Sequence, residues 1–313
     1  MKKRIFICIL ILSLLPLSAF AEEDYIRWVD FDLDYPVLQA ALQIDIDSQG
    51  EEMPLSWIDI LALAATRCGG ENVGVRDVQN AARELRSNQS PQEFLGNQYK
   101  YFAYYQEAYG AVLGGLVGSF AIEKDGQWYP SYGIKAFSPI AAGYSYSHCA
   151  DFGNARTYGY ARKHLGNDLM GALGTPIVAV EGGTVEALGW NRYGGWRIGI
   201  RSFDGLRYYY YAHLQKDNPY VKGLEAGQKV QAGDVIGFMG RTGYSTTENV
   251  NNIQTVHLHF GIQLVFDESQ KECNSEIWID PYDIVRLLSS HRSSVYKKDG
   301  KWQRIYPYRD LDV

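Results

Sequence analysis

Apolar positions between residues 22 and 120 recur at helical spacing. Asp34-Tyr35-Pro36 opens a run with Leu38, Leu42 and Ile46 at i, i+4 and i+8, one face of a helix. Ser56-Trp57-Ile58-Asp59 supplies a capping serine before Ile60, Leu61, Leu63 and Ala64, and Gly69-Gly70 ends that second helix. Residues Arg76 to Arg86 predict a third. Ser90-Pro91-Gln92-Glu93 combines a cap, a proline at the first helical position and an acid at the third, and launches a fourth through Tyr101, Tyr105, Tyr109, Val112 and Leu116. The tyrosine stripe has the spacing of a buried helix face and reads as core packing rather than a sugar-stacking platform. Nothing in this region carries obvious chemistry, so it is expected to dock on, position or gate the remainder.

After Gly118 the pattern changes to short apolar runs broken by Gly, Pro and Asn, as in an all-β domain. Lys124-Asp125-Gly126 is a turn, and Gln127 to Pro139 reads as a linker with an approach strand. Residues 176–180 and 184–189 around Glu181-Gly182-Gly183 read as one hairpin, and Trp196 to Phe203 with Leu206 to His213 around Asp204-Gly205 as a second. Gly227 to Gly237 reads as a further hairpin-like pair. Asp280-Pro281-Tyr282 starts a last helix with Ile284, Val285, Leu287 and Leu288, followed by a solvated tail. The expected class is α+β multidomain: a helical region (22–120), a linker (121–140), an antiparallel β domain (141–280), and a C-terminal helix and tail (281–313).

The N-terminus adds a location. Lys2, Lys3 and Arg4 precede an apolar stretch from Ile5 to Leu17 that ends Ala19-Phe20-Ala21, the layout of a secretory signal peptide cleaved near Ala21. No later stretch is apolar enough to span a bilayer, so the mature protein is expected to be secreted or otherwise extracytoplasmic. Loss of those three cations takes the net charge from −6 to −9. An acidic surface of this kind argues against a nucleic-acid partner, which needs clustered Lys and Arg. Cys68, Cys149 and Cys273 remain, which allows at most one disulfide and no Cys-x-x-Cys metal site.

Candidate chemistry lies in the β region. In an extended strand i and i+2 share a face, so His257 and His259 point one way while Val256, Leu258, Phe260 and Ile262 point the other. His164 and Asp168 flank Gly166, and a glycine-bent turn there aims both at one point. Both are competent zinc ligands, and equally an ordinary hydrogen-bonded histidine and a turn aspartate. His213 follows the run Tyr208-Tyr209-Tyr210-Tyr211 at a strand end. The glycines of Gly240-Arg241-Thr242-Gly243 lack the Gly-x-x-x-x-Gly-Lys spacing of a phosphate loop and read as a sheet-closing turn. His148, beside Cys149, and His291 fit no pattern; an exposed histidine beside a packed or disulfide-linked cysteine is the reading for the first.

Together, His164-x-Gly-x-Asp168, Gly174-Thr175-Pro176, Tyr211-x-His213-Leu214, Gly233-x-x-Ile236-Gly237, Thr242-Gly243 and His257-x-His259-Phe260 occur in the order seen in the lysostaphin/LytM-like zinc endopeptidases. The resemblance covers roughly Asp151 to Val265. It implies an open antiparallel β-sandwich with one Zn2+ held by His164, Asp168 and His259, and with His213 and His257 as further catalytic histidines. It implies as substrates the peptide bonds of bacterial peptidoglycan, in its stem or cross-bridge. Three protein ligands would leave a coordination position for water, as in catalytic zinc sites. The alternative is a non-catalytic wall-binding or envelope-assembly module of the same fold. The chain departs from the family at 244–255, a longer polar segment expected to form a surface loop that narrows the cleft, and at Val256, where a proline is common.

Overall fold

The computed structural model describes residues 25–87, 101–271 and 275–312. The signal segment, the cap at Ser90-Pro91 and Cys273 lie outside these. Among the described residues four helices come first: α1 (Tyr35–Ser48), α2 (Trp57–Cys68), α3 (Val75–Ser87) and α4 (Phe102–Leu113). The local signals act as their chemistry dictates. Ser56 Oγ accepts from the Ile58 N–H, and Gly69 closes α2 in the left-handed conformation at φ 69°. Ile60, Leu61 and Leu63 are fully buried. Of the tyrosine stripe, Tyr105 and Tyr109 are buried in the core while Tyr101 is exposed. Asp45, buried on α1, is held by the Trp57 N–H at 2.8 Å and by the Tyr132 hydroxyl at 2.8 Å, tying the first two helices to the second of the strands that follow α4.

Strands begin with β1 (Val117–Lys124) and β2 (Gln127–Ile134), a hairpin turning at Asp125-Gly126. The approach strand expected over 127–139 is therefore the second arm of a hairpin. Asp125 and Gly126 both take positive φ, 53° and 78°, the backbone of the tight hairpin turn that Asp-Gly favours. After β3 (Tyr146–His148), β4 (Ala155–Arg156), β5 (Arg162–Lys163), β6 (Asn167–Gly171) and β7 (Pro176–Val178) come β8 (Gly183–Asn191), β9 (Gly195–Ser202) and β10 (Arg207–Ala212). Then follow β11 (Lys229–Val230), β12 (Val235–Phe238), β13 (His257–Leu264), β14 (Ile277–Ile279) and α5 (Tyr282–Leu288). The expected solvated tail is instead a hairpin, β15 (Val295–Lys298) with β16 (Lys301–Arg304), and a last strand β17 (Tyr308–Asp310) paired with β1.

The main sheet is antiparallel, in the order β11-β8-β9-β10-β13-β6-β3, with β14 also on β13. Beside it stands the two-stranded pair β12-β7. The hairpin at Asp204-Gly205 is present as expected. The other two are not: β7 pairs with β12, and β8 pairs with β9 and β11. The physical reason lies at Glu181-Gly182-Gly183. Glu181 is buried and bound by Arg207 at 2.8 Å, so the chain passes inward and crosses between sheets where a hairpin would turn on the surface. Cys68 and Cys149 are free, half-buried thiols, so of the packed or disulfide-linked cysteine expected at 149 the linked form is not present, and His148, expected to be exposed, is half-buried with its ring on Tyr282 at 4.5 Å and its pKa lowered by burial.

Candidate metal centre and cleft

Strand β13 sits at the middle of the main sheet and carries His257 and His259 on one face, with Leu258, Phe260 and Ile262 buried on the other. Its neighbour β6 places Asp168 directly opposite His259. His164 arrives from the β4-β5 hairpin, with its N–H on Asn154 O at 2.9 Å. Gly166 lies between His164 and Asp168, and it is there for room rather than for a bend. Its φ is not left-handed, but a Cβ would overlap the Phe260 carbonyl and come within 2.9 Å of the His259 ring.

Three ligand atoms converge. His164 Nε2 lies 2.7 Å from His259 Nδ1, and Asp168 Oδ1 lies 3.1 Å and 3.4 Å from these two nitrogens. In a tetrahedral site with ligands at about 2.0–2.2 Å, donor atoms stand about 3.3 Å apart. Asp168 Oδ1 is buried and accepts no well-directed hydrogen bond despite those neighbours. It is aimed at the space between them. Among the described residues this is the one group of three His, Cys, Asp or Glu side chains with converging ligand atoms.

The surrounding charges hold the cluster in a cation-demanding state. Burial opposes charge on Asp168, but the close His164 and His259 rings outweigh it and keep the carboxyl far below its usual range. Burial likewise works against a protonated His164, yet Asp151 and Asp168 outweigh it and raise His164 to about 9. Burial lowers His259. The site thus already stabilises one positive charge between its carboxylates. Asp151 had been given no role by spacing. Its carbonyl accepts from His164 Nδ1 at 3.0 Å, which leaves Nε2 free as the ligand atom, and its Oδ1 receives the Asp168 N–H at 3.1 Å. Arg156 joins the carboxylates of Asp151 and Asp168 at 2.7 and 3.2 Å.

His213 and His257 complete the group without entering it. Their rings are 4.8 Å apart, and His257 Nε2 is 3.7 Å from Asp168 Oδ1. Each Nδ1 faces a carbonyl at 2.9 Å, Thr242 O for His213 and Thr255 O for His257. A carbonyl only accepts, so in the neutral ring each Nδ1 carries the hydrogen and each Nε2 keeps its lone pair. Burial, then the nearby His257 and His259, hold His213 well below the ordinary histidine pKa. Its backbone is left-handed at φ 62°, fixed by its N–H on Gly194 O at 2.7 Å and by the Thr242 contact. Such local strain persists only where surroundings over-determine it.

These groups form one end of a cleft of about 430 Å³. Its floor is the outer face of β10 and β13, and one wall includes Tyr244, on whose ring Tyr158 stacks at 4.7 Å. Tyr244 begins the long 244–255 segment, whose Asn249 binds the Trp196 indole N–H at 2.9 Å and the Asp217 N–H at 3.0 Å.

Residues 162–274 match the model of Peptidase family M23. The L-Ala--D-Glu endopeptidase of Bacillus subtilis is 39% identical over 148 residues, 47% of this chain and 41% of that protein. Lysostaphin of Staphylococcus simulans is 39% identical over 98 residues, 31% of this chain and 17% of that protein. The matches span less than half the length of these curated relatives. The crystal structure of a LytM protein from Ruminococcus gnavus aligns over 83% of this chain and 90% of its own with a TM-score of 0.54 at 24% identity, a likeness of fold that extends beyond the β domain. Residues 162–274 thus form an M23 peptidase domain, similar in sequence to parts of the Bacillus subtilis L-Ala--D-Glu endopeptidase and of lysostaphin.

Proposed function

We propose that the protein is a zinc metalloendopeptidase that hydrolyses peptide bonds of bacterial peptidoglycan outside the cytoplasm. The observation that carries this reading is the convergence of His164 Nε2, Asp168 Oδ1 and His259 Nδ1 beside two histidines with free Nε2 lone pairs. The M23 domain at 162–274, the endopeptidase activities in the names of the Bacillus subtilis L-Ala--D-Glu endopeptidase and the Vibrio cholerae peptidoglycan DD-endopeptidase, and the signal-like N-terminus support it. Among the described residues no helix is long and apolar enough to cross a membrane.

His164, Asp168 and His259 would hold one Zn2+, which would supply a Lewis acid for the scissile carbonyl and lower the pKa of a bound water. Asp151 and Arg156 keep the ligand carboxylate and imidazole oriented. His213 and His257 take up the proton released by the attacking water at Nε2. A ring so protonated becomes a donor, able to hydrogen bond the carbonyl oxygen as charge develops there or to pass the proton to the departing amine. The closed β13-β6 register fixes the distance between these rings and the ligand set.

Metal analysis and peptide release from purified cell wall test the reading together. His164→Ala, Asp168→Ala and His259→Ala are expected to lose both bound zinc and hydrolysis. His213→Ala is expected to retain zinc while kcat falls on the order of 10²- to 10⁴-fold. A protein that sediments with wall but releases no peptide would instead be a non-catalytic binding module, and a fully active His259→Ala enzyme would sink the proposal.

A further inference from the structure

The cleft carries a charge pattern opposite to that of the chain. The protein is net acidic, yet Arg156, Arg162, Lys163, Arg197 and Lys271 line the cavity. Most of these are engaged. Arg156 binds Asp151 and Asp168, and Lys271 binds Glu186. Arg162 donates to Tyr158 O at 2.7 Å and lies over the Tyr193 ring at 4.7 Å. Arg197 is different. Its Nε is buried without a hydrogen-bond partner, and its guanidinium makes no ion pair among the described residues.

Its position in the sheet is defined by register. Arg197 on β9 lies opposite Gly189 of β8, and the pairing of Ile198 with Tyr211 puts it beside Ala212 of β10. Ala212 pairs with His259, and His259 with Asp168. Arg197 therefore shares one row of the sheet with two metal ligands, two strands away from His259, or about 10 Å at the usual strand spacing. Only the methyl group of Ala212 stands between them on that row, while on the adjacent row the Tyr208 ring lies over Gly199 and the Trp278 ring over Gly261. An extended peptide covers such a gap in about three residues.

Buried donors are normally satisfied, and an unpaired one facing a cavity marks a place that a ligand completes. A guanidinium fork matches a carboxylate with two parallel hydrogen bonds. We propose that Arg197 is a specificity-determining residue that binds a carboxylate of the peptide substrate within about three residues of the scissile bond, so that acidic wall peptides are preferred to their amidated forms and to oligoglycine. This rests on the endopeptidase reading above and assigns its substrate class.

The test uses the zinc-loaded protein and three synthetic peptides: one containing L-Ala–D-Glu with its free carboxylate, the same peptide as the carboxamide, and pentaglycine. The expected ratio of kcat/KM for acid over amide is at least about tenfold, the size of effect that charge-assisted hydrogen bonding supports, with pentaglycine below both. The ratio is expected to fall to near one in Arg197→Gln and to be partly kept in Arg197→Lys, which has charge without the fork. Equal cleavage of acid and amide by the unaltered protein overturns the proposal, as does an Arg197→Gln protein that keeps the full preference. Should none of the three be hydrolysed, the endopeptidase reading fails, and equilibrium binding of acid against amide still decides the role of Arg197: a preference abolished in Arg197→Gln supports it, and equal affinity rejects it.

Discussion

A methyl group at position 166 has nowhere to go. The Cβ of an alanine there would overlap the Phe260 carbonyl and press on the His259 ring at 2.9 Å, so β6 would have to move away from β13 and carry Asp168 with it. Gly166→Ala is therefore expected to weaken zinc binding by about 10- to 100-fold, the cost typical of disturbing a ligand's support. Competition titration with a chelator would measure this, and circular dichroism would show whether the sheet survives. The five residues proposed for the centre, His164, Asp168, His213, His257 and His259, are legible as a set through the resemblance of their ordered motifs to a known family, whereas spacing alone pairs only His164 with Asp168 and His257 with His259. Asp151 and Arg197 are not. Asp151 acts across 13 residues on His164, and Arg197 becomes distinctive only when register shows what it lacks. Tyr208 and Tyr210 line the cleft while Tyr209 and Tyr211 enter the core, which is the two-faced aromatic strand expected from four tyrosines in a row.

At the level of elements, the segment that follows α5 carries its own pH sensor. His291 stacks on Phe137 at 4.5 Å, and its Nδ1 faces Ala136 O at 2.5 Å. Burial lowers its pKa below the ordinary 6.5 despite the bond to Ala136. The unfolded chain therefore takes up this proton first. The stabilisation it provides is complete above pH 6.5 and is lost as pH falls through 6.5 toward the folded-state value. Urea midpoints are expected to fall between pH 7.5 and 5, and His291→Gln, which cannot titrate, should show a shallower fall. Identical slopes for the two proteins would contradict this. Helices α1 to α3 are legible from caps and periodicity because their signals are local. The partners of β7 and β8 are not, since a buried Glu181 and a surface turn look alike in Glu-Gly-Gly.

Across the whole molecule, the helices and the sheet meet on the side away from the cleft. Arg207, on the inward face of β10, is fully buried and donates to Ala111 O at 2.7 Å near the end of α4. It also binds Glu181 at 2.8 Å and Asp204 at 2.5 Å. Tyr208, Tyr210 and Ala212, the alternate residues of the same strand, face the cleft, and the cleft lining comes entirely from residues beyond 155. The helical region thus buttresses the strand that leads to His213. None of its described residues lines the cleft beside His164, Asp168 and His259. Arg207→Met strands a buried carboxylate and a helix carbonyl, and a loss of about 3–5 kcal/mol in urea unfolding is expected. Activity per folded molecule should change much less than stability does.

The small sheet at the junction has a consequence in time. β1 follows directly on the helices, yet its second neighbour is β17, and Lys135 beside it is held by Asp310 at 3.1 Å and Asp312 at 2.9 Å. Phe120 and Asp310 are register partners across 190 residues of chain. Contacts of such separation form late in folding because the loop between them must close first. During synthesis the helical region is complete well before its seam with the β domain exists, and the seam waits for residues 308 to 312. A protease cut in the loop between β16 and β17 would leave every metal ligand in place and still unfasten that seam.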